Sequence, residues 1–234
     1  MSGWAQKRFW KEVSVAETGG GFAVELDGRR VKTPAKAPLM LPTRDMAAAI
    51  AAEWDAQTES VDPLAMPCTR SANAAIDKVT HQHSEVAAML AEYGDSDLLC
   101  YRADAPVELT LRQAQEWDPA LDWAAETLGA RLQPRMGVLH QPQETAALAV
   151  LAERVRAMTP FQLAAFHDLV GISGSLILGF AAAHGWRRAD EIWLLSRLDE
   201  RWQEEQWGAD EEAAAAAAVK RQEFLHAKRF FDFS

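Results

Sequence analysis

The first strand signal in the chain is a strict alternation. Phe22, Val24 and Leu26 take one side and Ala23 and Glu25 the other, the two-residue period of a half-buried strand. Asp27-Gly28 follows at once. This is a strong hairpin signal, because a primed turn needs positive φ at its centre. Arg29 to Thr33 then reads as the return strand, and Phe9 to Thr18, with β-branched and aromatic residues among polar ones, as the strand before. The triplet Gly19-Gly20-Gly21 between them reads as a turn. It has neither the Lys-Ser/Thr nor the following helix of a phosphate loop. Pro34, Pro38 and Pro42 punctuate what comes next.

At Thr43 the period changes to that of a helix. Thr43 suits an N-cap, Asp45 sits in the first turn, and Ile50 and Trp54 share a face of the Ala-rich run from Met46 to Gln57. The Pro-containing stretch from Ser60 to Pro67 is the expected hinge. Beyond it the pattern predicts helices at Ser71 to Val79, Ser84 to Tyr93, Leu109 to Trp117, Asp118 to Gly129 and Thr145 to Met158. Thr159-Pro160, an N-cap followed by Pro at the first position, leads into one more. Leu169 to Gly185 reads as one buried helix carrying Gly171, Gly174 and Gly179. Arg188 to Gln206 reads as one long amphipathic helix, ended by Gly208. The expected fold class is therefore α+β. A small β-rich N-terminal domain ending in a helix (1–62) precedes a larger all-helical C-terminal domain (63–234).

Composition narrows the class of function. The chain has 234 residues and a formal charge of −10, which disfavours a nucleic-acid binder with a basic face. Cys68 and Cys100 stand in no metal-ligand spacing and are expected as buried free thiols of a reducing compartment. The N-terminus carries no apolar signal region, and the apolar run around residue 177 is too interrupted to span a bilayer. A cytoplasmic location without membrane insertion is expected. Nine Trp against two Tyr is a skewed aromatic set. Trp is enriched at protein interfaces, so these residues are candidates for packing junctions and binding surfaces.

No catalytic constellation emerges from the motifs. His81 and His83 point to different sides of a helix, so a shared metal is not expected there. Asp95 and Asp97 lack the further acids of a calcium loop and read as N-caps. His167 and Asp168 read as a polar pair without a nucleophile. No cofactor, metal or catalytic residue is expected. The alternative is a small-molecule enzyme that uses an inter-domain cleft, with Asp95, Asp97 or His167 as acid–base candidates.

Several blocks resemble one known family in order along the chain. They include Arg8-Phe-Trp-Lys-Glu-Val13, Leu26-Asp-Gly-Arg29, Ile50-Ala-Ala-Glu-Trp-Asp-Ala-Gln57, Met66-Pro-Cys-Thr69 and Asp97-Leu-Leu-Cys-Tyr-Arg102. Gln115-Glu-Trp-Asp-Pro119, Leu194-Leu-Ser-Arg-Leu198 and Gln206-Trp-Gly208 continue the series. Together they resemble the assembly chaperones of the soluble catalytic head of F-type ATP synthase, the family that binds the alpha subunit. The resemblance implies a monomeric, non-enzymatic chaperone. It would cover the beta-facing surface of a free alpha subunit, since such an apolar face aggregates when unpartnered. It also implies site residues. Glu200 comes first, with Asp199 behind it and with Glu204 and Trp207 on the same stretch as partner-binding positions. Trp54 and Asp97 are implied as junction positions. In Leu198-Asp-Glu-Arg-Trp-Gln203, Asp199 stands where the family has Glu, and Arg201 where it has a third acid.

Overall fold

The computed structural model describes residues 7–234. The expected N-terminal domain begins at residue 1, so its first six positions lie outside the described residues. The described residues are α+β, and they fall into two compact units.

The first unit takes in residues 7–83 of the described chain, together with residues 159–164 and 229–234. Strands β1 (Val13–Thr18), β2 (Gly21–Leu26) and β3 (Arg29–Arg30) form an antiparallel meander in which Val15 pairs with Val24. Asp27 and Gly28 make the hairpin turn with φ of 48° and 75°, as the dipeptide requires. The Asp27 carboxylate also accepts the Lys11 and Glu12 N–H groups at 3.0 and 2.9 Å, and these bonds hold its pKa below the usual carboxylate range.

Helix α1 (Arg44–Asp55) packs on β1 and β2 through Met46, Ala47 and Ile50. Thr43 caps it, its hydroxyl accepting the Met46 N–H at 3.3 Å. Helix α2 (Pro67–Ala74) runs on into a π-helical turn, Ala75–Val79. It starts four residues before the expected Ser71, because Pro is well placed at the first helical position, where its missing N–H costs nothing. Glu53 of α1 supplies the cap. Its carboxylate accepts the Cys68 N–H at 2.6 Å and the Thr69 N–H and hydroxyl, both at 2.8 Å. Residues 62 and 63 lie inside this unit, at the turn Pro63–Ala65.

The second unit comprises residues 84–158 and 165–228. Helix α3 (His83–Glu92) leads into short turns that end at Cys100. Helix α4 spans Val107–Trp123 without interruption, through Pro119. Two helices were expected here, divided at Asp118-Pro119. A Pro in a helix interior costs about 3 kcal/mol, but fully buried Trp117 and Ala120 hold the chain on both sides of it. Two-residue strands β4 (Tyr101–Arg102) and β5 (Arg135–Met136) pair in parallel, so the C-terminal part is not wholly helical.

Helix α5 (Thr145–Arg156) precedes α6 (Pro160–Ser173), which Thr159 caps by accepting the Gln162 N–H at 3.2 Å. The run expected as one helix through residue 185 is two. Gly174 turns the chain at φ +71°, and α7 (Leu176–Ala183) starts afresh from Ser175. The single helix expected from Arg188 is also two. Helix α8 (Ala189–Ser196) and helix α9 (Leu198–Trp207) meet at Arg197, whose ψ of 17° departs from the helix. Helix α10 (Glu211–Asp232) closes the chain, with its alanine run exposed. Among the described residues no helix is long and apolar enough to cross a membrane.

Candidate functional site

The α8–α9 junction makes one wall of a groove of about 300 Å³ in the second unit. Ser196, Arg197, Asp199 and Glu200 contribute to this wall. Ile172 to Gly174, at the end of α6, face it, and Lys220 of α10 stands at the edge. Buried Trp117 lies in the lining, with its indole N–H donated to the Leu195 carbonyl at 2.9 Å, a bond that ties α4 to α8.

The structure therefore brings Asp199 and Glu200 together in the groove and leaves Glu204 and Trp207 outside its lining, farther along α9. Trp54 belongs to the first unit. There it packs edge-on against Trp10 at 5.2 Å. Asp97 is fully buried beside the groove residue Leu98. It accepts the Leu99 and Ile177 N–H groups at 3.0 Å and the Ser175 hydroxyl at 2.7 Å. Burial pushes its carboxyl up to about 6, against the lowering effect of those bonds.

Most acids of α9 are already engaged. Gln113 donates to Asp199 at 2.8 Å, and Arg197 pairs with Glu200 at 2.5 Å. Arg112 grips Glu205 through two bonds of 2.6 and 3.1 Å. It also bonds Glu116 at 3.1 Å and lies 6.0 Å over the Trp202 ring. These contacts raise the Arg112 pKa and lower that of Glu205. Among the described residues, no hydrogen bond or ion pair takes up the Glu204 carboxylate. Trp207 is 79% exposed.

Arg112 and Gln113 escaped the sequence reading. The Arg112–Glu116 pair at i, i+4 was visible, but the bond from residue 112 to residue 205 crosses 93 positions and leaves no local trace.

The acid–base candidates do not converge. Asp95 accepts the Gln143 N–H at 2.7 Å and bonds His140 at 2.9 Å. Asp97 is consumed by its buried donors, and His167 pairs with its neighbour Asp168 at 2.9 Å on α6. That bond raises the His167 pKa. None of the three lines the groove. Among the described residues no group of three or more His, Cys, Asp or Glu could hold a metal ion.

Groove and helix thus offer a face suited to docking, built from a helix with paired and unpaired acids and one exposed aromatic ring. Comparisons with known proteins give the family. The sequence pattern of the family described as ATP12 chaperone protein matches residues 7–125. The curated Atp12 of Schizosaccharomyces pombe mitochondria is 29% identical over 225 residues, 88% of this chain and 75% of the relative. The crystal structure of Atp12 from Paracoccus denitrificans is 50% identical, with a TM-score of 0.95 over 97% of this chain and 98% of the other. A protein of Agrobacterium tumefaciens proposed as a chaperone is 43% identical, with a TM-score of 0.92 over 97% of this chain and 85% of the other. The chain belongs to the ATP12 family of ATP synthase assembly chaperones.

Proposed function

We propose that this chain binds the free alpha subunit of F-type ATP synthase, covers the surface that alpha turns to beta, and hands alpha on to the growing catalytic head. The observation that carries the reading is the full-length likeness to Atp12 at 50% identity, joined to the ordered sequence blocks that resemble the alpha-binding chaperones. An unpartnered alpha subunit exposes an apolar face that aggregates, and a reversible cover is enough to protect it. The work requires no ATP, metal or covalent step. In this reading the chain acts as a cytoplasmic monomer. Asp199, Glu200, Glu204 and Trp207 belong to its contact face, while Trp54 and Asp97 hold the framework.

The test is direct. Purified protein is added at stoichiometric ratio to isolated alpha subunit under conditions where alpha aggregates, and light scattering is followed. Suppression of aggregation is expected, together with co-purification of alpha from cells depleted of beta. Unchanged aggregation and no co-purification would overturn the reading.

A further inference from the structure

We propose that the corner between α9 and α10 is the point at which this protein holds an arginine side chain of its partner, between the carboxylate of Glu204 and the ring of Trp207. The inference rests on the alpha-binding reading above and adds the chemistry of the contact.

Three observations carry it. The first is the engagement of the other acids of α9. Asp199, Glu200 and Glu205 each have an intramolecular partner, in Gln113, Arg197 and Arg112, whereas Glu204 has none among the described residues. The second is the ring. Residues three apart on a helix share a face, so Trp207 stands one turn beyond Glu204 on the same side, and it is 79% exposed. The third is the field around it. Residues 203–212 hold five acids and no Lys or Arg, and four of the five remain once Arg112 has taken up Glu205. The corner is also fixed in shape. The Gly208 N–H donates to the Glu204 carbonyl at 2.9 Å, and Asp210 caps α10 by accepting the Glu212 N–H at 2.8 Å.

A ring in such surroundings selects a cation. The face of an indole is negative, and it attracts a guanidinium held within about 6 Å. Arginine fits better than lysine, because its plane can lie on the ring while its N–H groups reach a carboxylate. The groove at the other end of α9 lacks this selectivity. Its two acids are taken, and Arg197 and Lys220 stand beside them. The negative net charge thereby acquires a local use: it steers a basic surface to this corner.

The experiment measures the affinity of the full chain for isolated alpha subunit at several salt concentrations. Glu204→Gln and Trp207→Ala are each expected to weaken binding roughly tenfold, as hot-spot truncations do. Glu204→Gln should also flatten the dependence on salt. Trp207→Phe should retain most of the affinity, and Trp207→Leu should lose it, because leucine keeps apolar area but offers no π face. Glu126→Gln, the same charge removed from another exposed position of the second unit, should have no effect. Wild-type affinity in Glu204→Gln and Trp207→Ala would overturn the inference while leaving alpha binding intact. Full affinity in Trp207→Leu would mean a purely apolar contact and would overturn the arginine assignment. Failure of the unaltered protein to bind alpha would overturn the alpha-binding reading, and this inference with it.

Discussion

Asp97 and Ser175 stand 78 residues apart in the chain and share a hydrogen bond of 2.7 Å in a place that solvent does not reach. The Ser175 hydroxyl donates to Asp97 and at the same time accepts the Leu178 N–H at 3.0 Å, so one contact starts α7 and anchors it to the turn before β4. Asp97→Ala would leave the Ile177 and Leu99 N–H groups and the Ser175 hydroxyl without their acceptor. Each such loss costs about 1–3 kcal/mol, so the variant is expected to lose at least about 3 kcal/mol in urea unfolding.

The same carboxylate sets a pH dependence. Burial raises its folded pKa to about 6, above the ordinary 3.8. A raised pKa means that the native state holds the proton more tightly than the unfolded chain does. The pH-dependent part of Asp97's contribution to stability is therefore greatest below about pH 4 and is lost as pH rises through about 6, while its hydrogen bonds remain. The size is about 3 kcal/mol at the rate of about 1.4 kcal/mol for each pKa unit. Asp97→Asn cannot titrate, so wild-type stability minus Asn-variant stability should grow as pH is lowered from 7 to 4. A difference that is flat with pH would contradict this.

The glycines of the apolar stretch should answer differently to the same substitution. A Cβ on Gly179 would sit 2.6 Å from the Val170 methyl and 3.3 Å from the Phe166 ring, so Gly179→Ala should destabilise by about 1–3 kcal/mol or more. A Cβ on Gly171 meets nothing within 4 Å, and Gly171→Ala should stabilise the end of α6 by about 0.5–1 kcal/mol. Gly174 sits at φ +71°, where any side chain is strained. Thermal melts of the three variants would rank them.

These glycines also mark what could be read in the sequence and what could not. Local chemistry was legible. Asp27-Gly28, Thr43 and Thr159 each dictate a turn or cap through atoms a few residues away, and each does so in the structure. The helix break at Gly174 and the one at Arg197 were not legible, and neither was the continuity through Pro119. A glycine in an apolar run reads equally as close packing or as a turn, and what decides is its neighbour in space: Asp97 under Ser175, Phe166 against Gly179. Arg197 has no breaker signature at all. The Ser196 hydroxyl bends back to the Trp193 carbonyl at 2.7 Å, and Arg197 turns its guanidinium over the Trp193 ring at 5.8 Å. At the site the acids of α9 were legible as a set. Which of them is free was not, since the residues that claim the others lie on α4 and at the α8–α9 junction.

Both thiols should be inert until the protein opens. Burial pushes the Cys68 thiol up to about 12, with the neighbouring Glu53 carboxylate adding to the effect, and burial likewise raises Cys100. The thiolate is the reactive form, so at pH 8 neither group offers a useful fraction of it. Iodoacetamide is expected to label neither cysteine in the native protein and both in urea. Glu53→Gln should weaken the start of α2 by about 1–2 kcal/mol. It should therefore expose Cys68 to labelling at lower urea than Cys100, read by peptide mass.

Trp54→Arg should damage the first unit. The indole packs against Trp10 at 5.2 Å in a T-shaped contact, and the nitrogens of both rings are buried. Trp54 is half-buried, so a guanidinium in that place loses the aromatic contact and covers the buried Trp10 ring poorly. The expected cost is about 1–3 kcal/mol, below that of a fully buried aromatic. A melting temperature within 2 °C of wild type would contradict the packing role.

Glu200→Lys should separate binding from stability. In the folded chain Glu200 touches Arg197 at 2.5 Å on the rim of the groove, and a half-exposed pair of this kind is worth about 1 kcal/mol. Replacing it sets a cation beside Arg197 and Lys220, so the groove changes from balanced to strongly positive with little effect on the core under α9. The melting temperature should fall by no more than a few degrees. Capture of alpha subunit should drop at least about tenfold if this rim belongs to the contact face, because like charge facing a basic partner repels at the encounter. Glu200→Gln, which removes charge without reversing it, should lie between the two. A large fall in melting temperature would make Glu200 a structural residue, and unchanged capture would take it out of the contact face.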